Sequence, residues 1–247
     1  MNDVRARAEE FPLETPDGKT LRAFRWQSDA ANASAPRAAV ALVHGLGEHA
    51  RRYDHVAAFM NNAGVAVFSF DQRGHGASVE SARGKQGYGE SYDLMLDDIG
   101  LLLKTTAKAC PNIPLVLYGH SMGGNIALNY ALRRGAAECV GVIASSPALR
   151  TAEAPPRLKV LAGELLYRLA PSFRLANGLD ITGISRDADV VAAYRADPLR
   201  HGLLSAQLGI DLLRAGEWAL KNAHTWSKPL LLLHGEADRV TSATATK

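Results

Sequence analysis

Short apolar runs recur along the chain with few polar residues inside them. A strand that faces solvent on one side alternates apolar and polar residues, whereas a strand covered on both faces is apolar almost throughout. These runs therefore predict buried strands of a parallel sheet with helices on both of its faces. They comprise residues 38–43, 65–70, 113–118, 139–144 and 230–233.

Helical patterns separate these runs and cover about residues 50–62, 91–109 and 122–133. Alternation of strands and helices is typical of a doubly wound α/β fold. Near the N-terminus, residues 11–13 and 21–26 flank a turn sequence at residues 16–18 and predict an antiparallel hairpin at one edge of the sheet. We therefore expect an α/β fold with a mostly parallel, doubly wound sheet. A connector of small residues with one proline is expected at residues 30–37.

A long interval of about 80 residues precedes the last apolar run, far more than an ordinary crossover needs. We expect residues 1–150 and 225–247 to form the core and residues 151–224 to form a helical cap over the carboxyl edge of the sheet. The alternative is that these helices extend the core. Leucines at helical spacing are expected to line an acyl pocket or to contact a membrane or a partner: Leu158, Leu161, Leu165 and Leu169 on one helical face, and Leu204, Leu208 and Leu212 on another.

Composition narrows the classes of function. The chain has 247 residues with 28 Lys and Arg against 25 Asp and Glu, a net charge of +3, which is too balanced to predict nucleic-acid binding. Its two cysteines have no C-x-x-C partner, which excludes a disulfide framework and a thiolate zinc site. No run approaches the roughly 18 apolar residues of a membrane span, and the N-terminus is polar, so we expect a cytoplasmic protein.

The sequence Gly119-His120-Ser121-Met122-Gly123 fits the pattern G-x-S-x-G. It lies between a predicted buried strand and a predicted helix, which is the context of a nucleophilic serine on a tight turn. An acyl-transfer serine also needs N–H donors for the oxyanion. We expect these from Met122 and from Leu46, which lies in a glycine-rich loop after an earlier strand. The alternative is a glycine-serine turn without chemistry.

The same loop carries a competing motif. Residues 45–50 match G-x-G-x-x-G/A, and Asp71 follows the next strand, as in a dinucleotide-binding fold. An NAD(P)-dependent oxidoreductase is therefore a remote alternative, although it leaves Ser121 unexplained and the chain has no Tyr-x-x-x-Lys pair. The spacing of His44, Glu48 and His49 does not fit H-E-x-x-H, so we expect no metal.

The acid of a serine triad belongs just after a late strand, in the order Ser, Asp, His. Asp238 follows the run at residues 230–233, with Glu236 as a weaker alternative, but no histidine follows Asp238 in these 247 residues. We do not expect His44, His49 or His120 to replace that base, and its loss would cost about 10⁶ in kcat. A catalytically inactive, ligand-binding protein is therefore a second hypothesis.

Together these motifs resemble the α/β-hydrolase superfamily, in particular its monoacylglycerol lipase and lysophospholipase-like branch. Besides the serine motif, the segments that carry the resemblance are H-G-L-G-E-H at 44–49 with Arg52 and Tyr53, D-Q-R-G-H-G-A-S at 71–78, and the cap segments 184–186 and 194–199.

The resemblance implies Ser121 as nucleophile, Asp238 as acid, and Leu46 and Met122 as oxyanion donors. It also implies Glu48, Arg52 and Tyr194 as polar groups around the alcohol, and a reaction on single-acyl esters such as monoacylglycerol or lysophospholipid without a cofactor.

The C-terminal part departs from that branch, whose members continue past the acid through a further strand, the histidine loop and a final helix. We therefore expect a last strand and helix to be missing here. Residues 230–233 would then form an apolar edge strand, through which two copies could pair.

Overall fold

The computed structural model describes residues 8–26, 35–81 and 84–247. Within them the strands are β1 (Ala8–Glu14), β2 (Thr20–Trp26), β3 (Ala38–Val43), β4 (Val65–Phe70), β5 (Leu115–His120), β6 (Gly141–Ser145), β7 (Arg174–Ala176), β8 (Leu203–Ser205) and β9 (Leu230–Leu233). The α-helices are α1 (Asp54–Asn62), α2 (Ser78–Ser81), α3 (Tyr92–Ala109), α4 (Met122–Arg134), α5 (Arg157–Leu169), α6 (Ala188–Ala196), α7 (Ala206–Asn222) and α8 (Ala243–Thr246). Single 3₁₀ turns cover Ala50–Tyr53, Ile181–Gly183 and Ala223–Thr225. The polar segment 1–7 and most of the predicted connector at 30–37 lie outside the described residues.

Seven strands form one sheet in the order β1-β2-β4-β3-β5-β6-β9. β3, β4, β5, β6 and β9 are parallel, and the β1–β2 hairpin joins β4 antiparallel at one edge. The predicted α/β fold is therefore confirmed. The chain leaves β3 toward β4 on one side and reaches β5 on the other, and such a reversal opens a crevice at the carboxyl ends of the strands.

The two faces of the sheet are covered by different helices. Ala41 of β3 packs in one buried cluster with Leu96 of α3 and Ile126 of α4. The neighbouring Val40 packs in a second cluster with Ala57 of α1. Successive strand residues point to opposite faces, so burial on both faces explains why the runs are apolar throughout.

The bounds of β3, β4 and β9 match the predicted runs, whereas β5 and β6 begin at Leu115 and Gly141 rather than at residues 113 and 139. Pro114 has no N–H to donate to a ladder. The N–H of Cys139 donates to the carbonyl oxygen of Ala136 at 3.2 Å and closes a turn. The apolar pattern alone predicts neither the missing donor at Pro114 nor the turn at Cys139.

The helices between β6 and β9 correct two expectations about leucines. Leu204 lies in β8 rather than in a helix, because the Ser205 hydroxyl accepts the N–H of Leu208 and α7 begins only at Ala206. Four of the five leucines of α5, at positions 158, 161, 165 and 169, are 58–78% exposed and do not line the cavity described below. α5 turns its other face to α7, where Gly163 lies against Ile210.

α7 is joined closely to α4 of the core. The side chains of Asn125 and Asn129 donate to the carbonyl oxygens of Leu212 and Ala215 at 3.2 and 3.1 Å. The boundaries at residues 151 and 224 remain a prediction. Across residues 8–26, 35–81 and 84–247, none of the helices combines the length and apolarity that crossing a bilayer requires.

β9 lies at an edge of the sheet in the part of the chain that the structure describes. Its four leucines are 38–49% exposed, as expected for an apolar strand with a neighbour on one side. Pairing of two copies through this strand remains a prediction.

Candidate active site

Ser121 occupies the turn between β5 and α4. Its backbone has φ +52° and ψ −116°, a conformation that costs a non-glycine residue about 1–3 kcal/mol. Its N–H donates to the carbonyl oxygen of Ser145 at 2.9 Å, and its own carbonyl oxygen accepts the N–H groups of Asn125 and Ala148, both at 3.0 Å. The surrounding structure thus holds Ser121 in a strained turn, at the carboxyl end of the sheet.

The glycines of the serine motif are required by close backbone contacts. A Cβ at Gly119 would lie 2.2 Å from the carbonyl oxygen of Gly123, and a Cβ at Gly123 would lie 2.1 Å from that of Val43. The turn and the loop after β3 can therefore approach each other only without these side chains.

The loop after β3 lies directly against Ser121. A Cβ at Gly45 would be 3.2 Å from the Cβ of Ser121. Within the described residues, no protein acceptor takes the N–H of Leu46 or of Met122, and Met122 begins a 13-residue helix. Two unpaired N–H groups beside a serine hydroxyl can stabilise an oxyanion, and the helix N-terminus favours negative charge.

His44 anchors this loop from below. Its Nε2 accepts the N–H of Gln72 at 3.0 Å, so its Nδ1 carries the proton donated to the carbonyl oxygen of Gly45 at 2.8 Å. Burial holds the pKa of His44 well below the usual value. The ring of His75 lies 5.4 Å away, and burial lowers the pKa of His75 to about 3.

These neutral histidines predict a loss of stability in acid. Below about pH 6.5 the unfolded chain binds protons at His44 and His75 that the folded protein excludes, so the free energy of unfolding falls as the pH falls, until the pH reaches the folded pKa. For each histidine the slope is about 1.4 kcal/mol per pH unit. We expect the free energy of unfolding, measured with urea between pH 6 and pH 4, to depend less steeply on pH in His75→Gln, by that amount. The exposed control His224→Gln should keep the wild-type slope, and equal slopes in all three proteins would contradict the prediction.

The structure does not support the dinucleotide hypothesis. The carboxylate of Asp71, the proposed ribose ligand, is buried and accepts the N–H groups of Ala50 and Ala77 at 2.8 and 2.7 Å. A Cβ at Gly76 would lie 2.2 Å from that carboxylate. Asp71 therefore fastens two loops and, being buried, is out of reach of a ribose.

Asp238 follows β9, as expected. One oxygen accepts the N–H groups of Val240 and Thr241 at 2.7 and 3.0 Å, and the other accepts the Thr241 hydroxyl at 2.9 Å. Burial would raise the pKa of Asp238, but these hydrogen bonds hold it below the ordinary value. His234 Nε2 lies 3.2 Å from the carboxylate; sequence reasoning missed this contact, although the spacing His234-Gly235-x-x-Asp238 offered a signal.

One cavity of about 270 Å³ joins most of the predicted site residues. Its lining includes Ser121, Asp238, Leu46, Glu48, Arg52 and Tyr194, whereas Met122 is buried next to the serine in the chain. The lining residues that sequence reasoning did not assign to the site include His55, Leu179, Ile184, Val240 and Thr241. They come from α1, from the segment between β6 and β9 and from the loop after Asp238, which only the fold brings together.

Arg52 and Tyr194 form one stack at the cavity wall. The Arg52 guanidinium lies 4.4 Å from the ring centre of Tyr194, and Arg200 lies 5.0 Å from it. Arg52 Nε is also 3.0 Å from the carboxylate of Glu48. Burial raises the pKa of Tyr194, which keeps its hydroxyl protonated.

The predicted cap region touches the loop after β3. His49 Nε2 and the Asp197 carboxylate are 2.7 Å apart, and the N–H of His201 donates to the carbonyl oxygen of Gly47 at 2.9 Å. A shift of the segment around α6 would therefore be transmitted to the backbone next to Ser121.

No histidine in the described part of the chain hydrogen-bonds to the Ser121 hydroxyl. His120 pairs instead through Nδ1 with the Ser145 hydroxyl at 2.8 Å, so its Nδ1 is directed toward β6. Over residues 8–26, 35–81 and 84–247, no three His, Cys, Asp or Glu side chains are grouped as metal ligands.

Comparison with known proteins places this geometry in a family. The chain matches, over residues 34–247, the model of the family described as "Serine aminopeptidase, S33". The chain belongs to this hydrolase family. Its fold is the α/β-hydrolase fold, and it superposes on the crystal structure of Paleococcus ferrophilus monoacylglycerol lipase with a TM-score of 0.79 at 34% identity, covering 91% of this chain and 81% of that one.

Two curated relatives extend the comparison. A monoacylglycerol lipase of Mycolicibacterium smegmatis is 37% identical over 206 residues, which are 83% of this chain and 71% of that protein. An abhydrolase domain-containing protein of Dictyostelium discoideum is 36% identical over 235 residues, which are 95% of this chain but 24% of that protein. The chain thus spans about a quarter of one relative and most of the other.

Proposed function

We propose that this protein is a serine carboxylic-ester hydrolase that cleaves monoacylglycerol, lysophospholipid or similar single-acyl esters through an acyl-enzyme on Ser121. The observation that carries the proposal is the strained Ser121 turn beside the unpaired N–H groups of Leu46 and Met122. Its family and its monoacylglycerol lipase relatives support the same chemistry.

In the proposed reaction the Ser121 hydroxyl gives its proton to a base while its oxygen attacks the ester carbonyl carbon, and the oxyanion accepts hydrogen bonds from Leu46 and Met122. Collapse of this intermediate breaks the bond to the alcohol oxygen, which takes that proton from the base as it leaves. Water then cleaves the acyl-enzyme to a carboxylic acid and free Ser121. We assign Asp238 to orienting the base that carries these protons.

The cavity lining combines polar and apolar side chains, which supports an assignment of substrate parts. Arg52 and Tyr194, which stack on each other, would contact the alcohol. Leu179, Ile184 and Val240 supply apolar lining against which the first carbons of the acyl chain would pack.

The test is hydrolysis of 1-monooleoylglycerol by the wild-type protein, followed through release of glycerol and oleate. The proposal predicts turnover that depends on Ser121. Binding of the lipid without any release of oleate would instead favour the ligand-binding alternative. Tight binding of NADH would favour the oxidoreductase.

We also propose transient contact between α5 and a lipid surface. The exposed α5 leucines include Leu161 and Leu165, and the same helix carries Arg157, Lys159 and Arg168, a composition that suits an anionic bilayer.

Replacing Leu161 and Leu165 together by glutamate should weaken sedimentation with anionic vesicles by about 100-fold. The exposed control Val140→Glu, just before β6 and outside α5, should sediment like wild type. Hydrolysis of soluble p-nitrophenyl butyrate should stay at the wild-type rate, and unchanged sedimentation of the double variant would contradict the proposal.

A further inference from the structure

The carboxylate of Glu48 is occupied by protein donors. Its Oε1 accepts the backbone N–H of Gly45 at 2.7 Å and the hydroxyl of Tyr53 at 2.8 Å, while its Oε2 lies 3.0 Å from Nε of Arg52. Burial raises the pKa of Tyr53 well above its usual value, so that hydroxyl remains a donor. Glu48 is only 7% exposed. Both acceptor positions of Oε1 are therefore taken by protein donors, and Oε2 faces Arg52.

Gly45 lies between this carboxylate and the nucleophile. A Cβ on Gly45 would be 2.6 Å from Glu48 Oε1 and 3.2 Å from the Cβ of Ser121. A Cβ would fit there only if the Glu48 side chain moved, so the Gly45 backbone is in direct reach of both groups.

The two peptide groups that flank Gly45 are held from opposite ends. Glu48 accepts the Gly45 N–H, and His44 Nδ1 donates to the Gly45 carbonyl oxygen. In a planar trans peptide the C=O of one residue and the N–H of the next point in opposite directions. Fixing the Gly45 carbonyl therefore fixes the direction of the Leu46 N–H. The bond from Glu48 to the Gly45 N–H holds the preceding peptide group, so that the backbone of Gly45 does not rotate between the two.

We propose that Glu48 is a positioning residue of the oxyanion hole, which acts by holding the Gly45 N–H, rather than a ligand of the substrate alcohol. The proposal rests on the proposed esterase function for its catalytic consequence. The negative charge of Glu48 would by itself oppose an oxyanion, and Arg52 compensates it. Glu48 contributes a side chain long enough to place its Oε1 within hydrogen-bond distance of the Gly45 N–H.

Two conservative substitutions separate reach from charge. Glu48→Gln keeps the length and a carbonyl oxygen that can accept from Gly45, but removes the charge. Glu48→Asp keeps the charge but withdraws the acceptor by one methylene. We expect Glu48→Asp to lose about 100-fold in kcat, as for a misplaced catalytic group, and Glu48→Gln to lose about tenfold or less, as for one weakened hydrogen bond.

Two substrates with the same acyl chain, 1-monobutyrin and p-nitrophenyl butyrate, decide where Glu48 acts. Positioning predicts the same loss of kcat on both, with little change in KM. A role as alcohol ligand predicts a rise in KM for the monoacylglycerol alone, and this result would overturn the proposal. An active Glu48→Asp with an inactive Glu48→Gln would indicate a role for the charge of Glu48, and would overturn it as well. Tyr194→Phe, on the alcohol side, is the comparison variant and should affect the monoacylglycerol more than the nitrophenyl ester.

Amide hydrogen exchange provides a readout that does not depend on turnover. The Gly45 amide should exchange at the wild-type rate in Glu48→Gln and at least tenfold faster in Glu48→Asp, with Leu46 following. Unchanged Gly45 exchange in Glu48→Asp would overturn the positioning role even if the protein hydrolysed no ester. Absence of Ser121-dependent turnover in the wild type would contradict the proposed function instead.

Discussion

With a triad base in place, replacing Ser121 by alanine is expected to lower kcat for ester hydrolysis by about 10⁶, to the rate that binding and oxyanion contacts alone sustain. The substitution removes one oxygen and leaves the backbone contacts of the turn in place, since these use the N–H and carbonyl of residue 121. The measurement is the initial rate on p-nitrophenyl butyrate and on 1-monooleoylglycerol. A residual rate within 100-fold of wild type would contradict Ser121 as nucleophile.

Ser121→Gly is the matched control for the strain. Glycine adopts φ +52° without the penalty of a Cβ, so this variant should lose activity like Ser121→Ala but unfold with a free energy about 1 kcal/mol higher. Equal stability of the Ala and Gly variants would show that the turn stores no strain.

Gly123→Ala should lose activity and stability together. The new Cβ would lie 2.1 Å from the carbonyl oxygen of Val43 and 2.5 Å from that of His44. α4 must then move away from β3 and its loop, which separates Met122 from Leu46. We expect kcat to fall at least 100-fold, as for a displacement near 1 Å, and the free energy of unfolding to fall by about 3 kcal/mol.

Gly135→Ala at the other end of α4 is the control. Gly135 has φ +77° but no atom within 4 Å of a Cβ, so alanine there costs about 1–2 kcal/mol of strain without touching the site. Its kinetics should match wild type while its stability falls. If Gly123→Ala also kept wild-type kinetics, the close contact between α4 and the loop after β3 would not matter for catalysis.

Local patterns were sufficient to predict the parts of the fold that depend on one segment. β3 and β4 have the predicted bounds because burial on both faces makes almost every position apolar; the exception, Ser69, donates its hydroxyl to the carbonyl oxygen of Leu42. The Ser121 turn could also be predicted, because glycines flank a serine between a strand and a helix.

Contacts between distant segments could not be predicted in this way. The pairing of His49 with Asp197 joins residues 148 positions apart, and no spacing rule connects them. The direction of the α5 leucines depends on how α5 packs against α7, which a helical periodicity leaves open. The sequence indicates Glu48 as a polar residue near the site, but only the structure shows that its carboxylate accepts hydrogen bonds from Gly45 and Tyr53.

The central claim is that Ser121 becomes acylated during turnover. The most direct test is to mix the natural protein with p-nitrophenyl butyrate, quench in acid within milliseconds, and measure the intact mass followed by peptide mapping. We predict one added butyryl group, located on Ser121 and absent from Ser121→Ala. Release of nitrophenol without any acyl group on the protein, or with the acyl group on another residue, would contradict the account.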